Sequence, residues 1–336
     1  MSAPNGTQSM NGVPLLQVHD LQVEFALKGT RQTLKAVNGV SFDVGAGETF
    51  GIIGESGSGK TTLGRALVSL VAPTRGRIAH AGVDPTTLTA AQLRVERRQF
   101  QIIFQDPNAS LNPRMKIGES VAEPLLVTGT LTRQACHQAA QQALERVGLS
   151  AAHADRYPHQ LSGGQKQRAN IARALTLHPR LLVCDEVVAA LDVSIRGEVL
   201  NLFAELQREL GLTYVFITHD LSVVAHISDR VAVMYLGRFM EMGPAESVAH
   251  APLHPYTQAL LSAEPVPLPA SMRQEQRMAL NGDIPSPVAP PSGCVFRTRC
   301  PHALPVCAEQ VPAWNELKPG HWVACHIAQA DPLPAI

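Results

Sequence analysis

Residues Gly54-Glu55-Ser56-Gly57-Ser58-Gly59-Lys60-Thr61 make a complete glycine-rich phosphate-loop motif, and no other stretch restricts the fold as strongly. Its glycines let successive backbone N–H groups converge on phosphate oxygens, and a helix starting there points its positive end at the same spot. The motif is meaningful only between a strand and a helix. Both are expected here: Glu48 to Ile53 is a short apolar strand, and Thr61 to Leu70 reads as a helix. In that setting Lys60 is expected to reach the β- and γ-phosphates of a nucleotide. The Thr61 hydroxyl is expected to ligate Mg²⁺, with Thr62 beside the α-phosphate.

The rest of the chain repeats the strand–helix theme. Leu16, Val18, Leu21, Val23 and Phe25 alternate as in a half-buried strand, and Val37 to Val44 repeats the pattern. Residues 106–160 change texture, with helical stretches at Glu119–Leu126 and Thr132–Val147, and read as an inserted helical subdomain (about 106–172). The alternation returns with helix Gly164–Leu175, strand Leu181–Cys184, helix Ile195–Glu209, strand Tyr214–Ile217 and helix Leu221–Ile227. Strands alternating with helices imply an α/β fold with a mostly parallel sheet. Val231–Tyr235 and Arg238–Gly243 read as a closing hairpin. Residues 1–13 read as a polar, disordered tail. Dense proline from Pro265 onward sets a boundary near 264, leaving 265–336 as a small, loop-rich appendage.

Lys plus Arg and Asp plus Glu both number 28, so bulk charge provides no footprint for nucleic acid. No apolar run reaches the ~18 residues of a spanning helix, and the first residues lack a hydrophobic signal region. The expectation is a cytoplasmic chain that meets a membrane only through a partner.

Leu181 to Glu186 is an apolar strand ending in two carboxylates. At the carboxyl end of a parallel strand an acid lies where ligands bind. Asp185 is the expected Mg²⁺ partner and Glu186 the residue that polarises the attacking water. Ser162, Gly163 and Gly164 open a helix, where a hydroxyl, amides and the helix dipole can grip phosphate.

Gly54–Thr61, Gln105, Leu161–Gln165, Asp185–Glu186, Ala190-Leu191-Asp192 and His219 occur in the order and spacing of ATP-binding cassette (ABC) transporter ATPases, which the chain resembles over about residues 15–250. The resemblance implies an ABC-type nucleotide-binding domain, a RecA-like core with a β-subdomain and a helical insertion. It implies that Gln105 couples γ-phosphate and Mg²⁺ to a membrane subunit, that His219 contacts the γ-phosphate and that Phe25 stacks on adenine. The ATP site would comprise residues 54–62 of one subunit, with Ser162, Gly163, Gly164, Gln165 and Asp192 facing it across a dimer closed by ATP and opened by hydrolysis. The family usually reads Asp-Glu-Pro-x-Ser-Ala-Leu-Asp where this chain has Val187 and Ala189. The missing serine hydroxyl puts a cross-dimer hydrogen bond in doubt.

Phe104–Pro107, Ser110–Pro113, His254-Pro255-Tyr256-Thr257, Ala259–Leu261 and the terminal cysteines are similar to the ATP-binding subunits of dipeptide/oligopeptide and nickel importers, with Gly57–Arg65 and Ser110–Arg114 leaning to the F type. That resemblance implies a sister ATPase, two membrane permeases and a solute-binding protein as partners. The tail reads Cys294-x5-Cys300-x6-Cys307-x17-Cys325. Four thiols in a proline-rich stretch with little core suit a Zn²⁺ or [4Fe–4S] staple. The spacing fits neither a zinc ribbon nor a ferredoxin run, and the subfamily resemblance favours iron–sulfur. His302, His321 and His326 are alternative ligands. Cys136 and Cys184 read as ordinary thiols. Two other classes compete: a soluble ABC ATPase of DNA repair or translation, and a regulatory cassette that hydrolyses ATP poorly.

Overall fold

A computed structural model describes residues 13–27, 29–30, 32–189, 191–263 and 282–328. Of the expected tail over 1–13 only Val13 is included. The proposed boundary near 264, Pro265 to Pro269 and Ala190 lie outside the described residues.

The chain opens with β1 (Leu16–Ala26) and β2 (Thr33–Val44), followed by β3 (Thr49–Ile53), α1 (Lys60–Leu67) and β4 (Arg75–His80). Next come α2 (Ala90–Glu96), β5 (Phe100–Ile103), α3 (Pro107–Ser110), α4 (Ile117–Thr128), α5 (Arg133–Arg146) and α6 (Gly163–Leu175). Then follow β6 (Leu181–Asp185), α7 (Val193–Leu210), β7 (Thr213–Thr218), α8 (Leu221–Ile227), β8 (Arg230–Tyr235), β9 (Arg238–Pro244), α9 (Ala245–His250) and α10 (Pro255–Ala263). After the gap come α11 (Val306–Glu309), β10 (Asn315–Lys318) and β11 (His321–Val323).

Two sheets result. A three-stranded antiparallel sheet has the order β2-β1-β4, and an eight-stranded mixed sheet runs β10-β11-β9-β8-β3-β7-β6-β5. Strands β5, β6, β7, β3 and β8 are mutually parallel, and β8 with β9 makes the expected hairpin. The central strands are largely apolar runs, since both faces of the parallel sheet are covered, one by helices and the other by α1 with the three-stranded sheet. Tyr214, Val215, Phe216 and Ile217 of β7 are all buried.

Helix starts follow the local chemistry. Ser162 and Gln165 form a reciprocal capping box at α6, and Thr132 accepts from the Ala135 amide at α5. One core joins α4, α5 and α6 to a face of the sheet, with Ile117, Val121, Ala140 and Leu144 packed in the same cluster as Leu182, Phe203 and Phe216. A second core lies between the opposite sheet face and the three-stranded sheet, around Leu16, Val18, Phe42, Phe50 and Leu63.

The cysteine segment does not stand apart as a loop-rich appendage. Its strand β11 pairs with β9, Trp322 opposite Met242 and Val323 opposite Glu241, and so extends the main sheet. Phe296 is fully buried against Tyr235 and Tyr256. Burial of such a ring contributes about 2–3 kcal/mol. Short strands of three and four residues carry little periodicity, which is why neither was legible in the sequence.

A polar knot ties this junction. The buried Glu241 carboxylate accepts from the Leu253 amide (2.8 Å) and the His254 amide (3.0 Å), and meets His321 Nε2 at 2.7 Å. Burial drives the His254 imidazole down to about 4, against an opposing pull from Glu241. The unfolded chain therefore takes up this proton first on acidification. The stabilisation is fully present above the ordinary value of 6.5 and is lost as pH falls from 6.5 towards about 4. The expected loss is about 3 kcal/mol over that window. Denaturant titrations of the wild type and His254→Asn at pH 7 and pH 4.5 would check it. The variant keeps an acceptor for the Tyr256 amide and is expected to show the smaller pH dependence.

Candidate nucleotide site

Strand register gathers the candidate residues. Ile53 pairs with Thr218 across β3 and β7, and Asp185 pairs with Ile217 across β6 and β7. Three adjacent parallel strands thus end together, and Gly54, His219 and Glu186 leave the sheet side by side at its carboxyl edge. Ile103 of β5 pairs with Cys184, which brings Gln105 to the same edge.

The loop requires glycine at two places for steric reasons. Gly54 has φ +154°, and a Cβ there would lie 2.1 Å from the Met234 carbonyl oxygen. Gly59 has φ +106°, and a Cβ would lie 2.0 Å from the Ala36 carbonyl oxygen. Inside the loop Lys60 is 4% exposed. Its Nζ donates to the Gly54 carbonyl (2.7 Å), the Glu55 carbonyl (2.8 Å) and Ser58 Oγ (3.3 Å). Burial lowers the pKa of this ammonium, and Glu186, Asp185 and Glu55 oppose the shift.

Thr61 Oγ1 donates to Asp185 Oδ1 at 3.2 Å. Burial raises the Asp185 carboxyl, the neighbouring Glu186 raises it further, and the Thr61 hydrogen bond, Arg65 and Lys60 pull it down. A hydroxyl and a carboxylate in contact form the all-oxygen donor set that suits Mg²⁺. Glu186 follows in a left-handed conformation, φ +50°, which costs a non-glycine residue about 1–2 kcal/mol. Its amide donates to the Ile217 carbonyl at 2.8 Å, fixing the turn. Gln105 Nε2 donates to Glu186 Oε2 at 2.6 Å, and His219 Nδ1 lies 3.6 Å from Glu186 Oε1. Glu186 thus lies between the Gln105 amide and the His219 ring.

Other expected residues lie elsewhere. Phe25 is 40% exposed and pairs with Leu34, two residues before Ala36 of the strand that packs on Gly59. Ser162 caps α6 and Gly163, Gly164 and Gln165 begin it; Ser162 and Gly163 are exposed, Gln165 is half-buried and Gly164 is buried. A Cβ on Gly164 would meet Ile195 at 2.6 Å, so this segment packs on α7. Asp192 is exposed at the start of the same α7. Among the described residues no hydrogen bond or ion pair joins 162–165 or Asp192 to residues 54–61. Val187 and Val188 are buried in the core beneath the turn.

Burial pushes the thiols of Cys294, Cys300 and Cys325 up, Cys300 to about 11, and neighbouring cysteines of the same segment add to each shift. Thiolate chemistry suits a soft metal. Yet among the described residues no three His, Cys, Asp or Glu side chains are disposed to hold a metal ion. His321 is engaged with Glu241, and His326 Nε2 lies 3.0 Å from the Gln310 carbonyl oxygen. Cys136 and Cys184 are buried in the core.

The sequence reading missed what braces the loop from outside. Arg299 grips the Glu55 carboxylate through two hydrogen bonds, 2.6 and 3.0 Å, and Tyr256 Oη accepts from the Glu55 amide at 2.9 Å. No sequence signal links residues 244 positions apart.

A phosphate loop on β3, paired carboxylates on β6, a histidine after β7 and a helical insertion before α6 define a P-loop ATPase of the ATP-binding cassette type. Residues 37–189 match the "ABC transporter" family, and residues 240–307 match "Oligopeptide/dipeptide transporter, C-terminal region". The chain is 51% identical over 327 residues to the oligopeptide transport ATP-binding protein OppF of Salmonella typhimurium, covering 95% of this chain and 97% of that one. It is 49% identical over 323 residues to the oligopeptide transport ATP-binding protein AppF of Bacillus subtilis, covering 94% and 98%. A solved dimer of the ATP-binding cassette MJ0796 in a post-hydrolysis state with ADP and Pi superposes with a TM-score of 0.62 at 28% identity, over 68% of this chain and 98% of that one. The chain belongs to the ABC transporter family, in its oligopeptide/dipeptide branch.

Asp185→Asn separates metal binding from folding. Removal of a buried carboxylate is expected to raise the melting temperature of the nucleotide-free chain by roughly 2–4 °C. It is also expected to abolish the Mg²⁺ dependence of ATP binding. Differential scanning calorimetry and equilibrium binding with and without Mg²⁺ would check both effects.

Proposed function

We propose that this chain is the ATP-hydrolysing motor subunit of an importer of dipeptides or oligopeptides. The convergence of Lys60, Thr61, Gln105, Asp185, Glu186 and His219 on one sheet edge carries this reading. The resemblance along nearly the whole chain to oligopeptide transport ATP-binding proteins supplies the cargo class. In this proposal the amides of residues 54–61 and Lys60 hold the β- and γ-phosphates. Thr61 and Asp185 hold Mg²⁺, which draws charge from the phosphate oxygens. Glu186 orients the attacking water, Gln105 and His219 hold Glu186 in place, and Phe25, exposed near the loop, stacks on adenine.

Ser162, Gly163, Gly164, Gln165 and Asp192 then serve the loop of a second ATPase subunit. The exposure of Ser162, Gly163 and Asp192, and the lack among the described residues of any bond to this chain's own loop, support that reading. The partner is a sister ATPase, with two permeases above and a solute-binding protein beyond them. Among the described residues no helix is long and apolar enough to cross a membrane, which fits a subunit held peripherally by permeases. The match to transport proteins over most of the chain speaks against a soluble repair or translation ATPase. Ala189 alone favours a weakly hydrolysing cassette.

Glu186→Gln tests the motor assignment. Turnover is expected to fall about 10²–10⁴-fold while ATP binding persists. Unchanged phosphate release would sink the proposal.

For the four C-terminal thiols the proposal is a [4Fe–4S] cluster, with Zn²⁺ as the other occupant. Four cysteines within one short segment, and the subfamily resemblance that favours iron–sulfur, support it. The thiols must then close together on binding and release their protons. Metal analysis and the absorption spectrum of anaerobically purified chain are expected to reveal about four irons and a visible charge-transfer band. One zinc and no colour would assign the site to zinc.

A further inference from the structure

Glu55 is the second residue of the phosphate loop, and each of its polar groups is held. Its carbonyl accepts from Lys60 Nζ at 2.8 Å. Its amide donates to Tyr256 Oη at 2.9 Å, and its carboxylate is clamped by Arg299 at 2.6 and 3.0 Å. Two of these three holds come from outside the loop's own strand and helix, from α10 and the cysteine segment.

The clamp is a built contact rather than a chance surface pair. The Arg299 side chain is 7% exposed and that of Glu55 24%. Arg299 lies 5.9 Å from the centroid of the Tyr235 ring, and its amide donates to the Phe296 carbonyl at 3.0 Å. Phe296 meets Tyr235 edge-on at 5.4 Å and Tyr256 at 5.2 Å. Arg299 is followed directly by Cys300, and the Cys294 amide donates to the Cys307 carbonyl at 2.8 Å. The guanidinium is therefore fixed by the fold of the cysteine segment. A paired, forked arginine of this kind imposes direction as well as attraction.

The consequence runs through Lys60. Its ammonium rests on the carbonyls of Gly54 and Glu55, so the path of the backbone at Glu55 decides where that ammonium lies. We propose that Arg299 is a positioning residue for ATP binding: by clamping Glu55 it holds the phosphate loop in its binding shape, so that the cysteine segment sets the affinity for ATP. This rests on the assignment of residues 54–61 as the phosphate site.

The test is equilibrium binding of Mg²⁺-ATPγS to the full chain, with KM and kcat for ATP measured on the same variants. Arg299→Gln and Glu55→Gln are each expected to weaken binding about ten-fold, the scale of a lost charge-assisted hydrogen bond. The loss should fall mainly on KM. The double variant is expected to bind no more weakly than either single one, because both remove the same clamp. Arg299→Lys is expected to recover part of the affinity. If Arg299→Gln does not fold, Glu55→Gln and Arg299→Lys carry the test, since they leave the cysteine segment's packing in place. Affinity unchanged within two-fold in folded single variants would overturn the proposal, as would two losses that add in the double variant. Lys60→Ala separates the layers: retained binding there would overturn the site assignment itself, and lost binding beside an unaffected Arg299→Gln would overturn the clamp alone.

Discussion

The buried ammonium of Lys60 is the contact around which the rest of the site is arranged. A cation taken out of water needs compensation, and here it comes from two loop carbonyls, a serine hydroxyl and the field of Asp185, Glu186 and Glu55. Those carboxylates face it because β3, β7 and β6 end in register. The same burial that lowers the Lys60 ammonium raises Asp185. The site is poised for ligands that bring both signs of charge, a polyphosphate for the lysine and a divalent cation for the aspartate.

A strained turn and an amide contact border this charged centre. Glu186 occupies a left-handed conformation held by Ile217, and its carboxylate meets Gln105 and His219 rather than a permanent cation. An arginine in either place would bind the carboxylate firmly and take it away from water. Val187, where the family's usual turn has proline, is packed with Val188 into the core under the same turn.

The C-terminal segment belongs to the same mechanical unit. Its strand β11 extends the main sheet, Phe296 fills a space between two tyrosines, and Glu241 ties β9 to both the His254 turn and His321. A carboxyl group this deeply buried is tolerable because two backbone amides donate to it and His321 Nε2 meets it. Through Arg299 the segment then touches the loop that faces phosphate.

The fold class, the strand before the phosphate loop and the helix after it, and the helical insertion were legible in the sequence. They rest on short-range rules: glycines where backbone must bend, acids after apolar runs, and periodicity of 2 or 3.6 residues. The expected hairpin over 231–243 and the helices over 119–126 and 132–147 appear as β8 with β9, α4 and α5 with shifted ends. Strands β4, β5, β10 and β11 were not legible: β4 and β10 carry charged and polar residues in place of an apolar run, and β5 and β11 have only four and three residues. Nor did the sequence reveal that Gln105 and His219 both rest on Glu186, or that Arg299 holds Glu55. Local chemistry selects which elements form. Pairing register and burial, which act between residues up to 244 positions apart, decide which side chains meet.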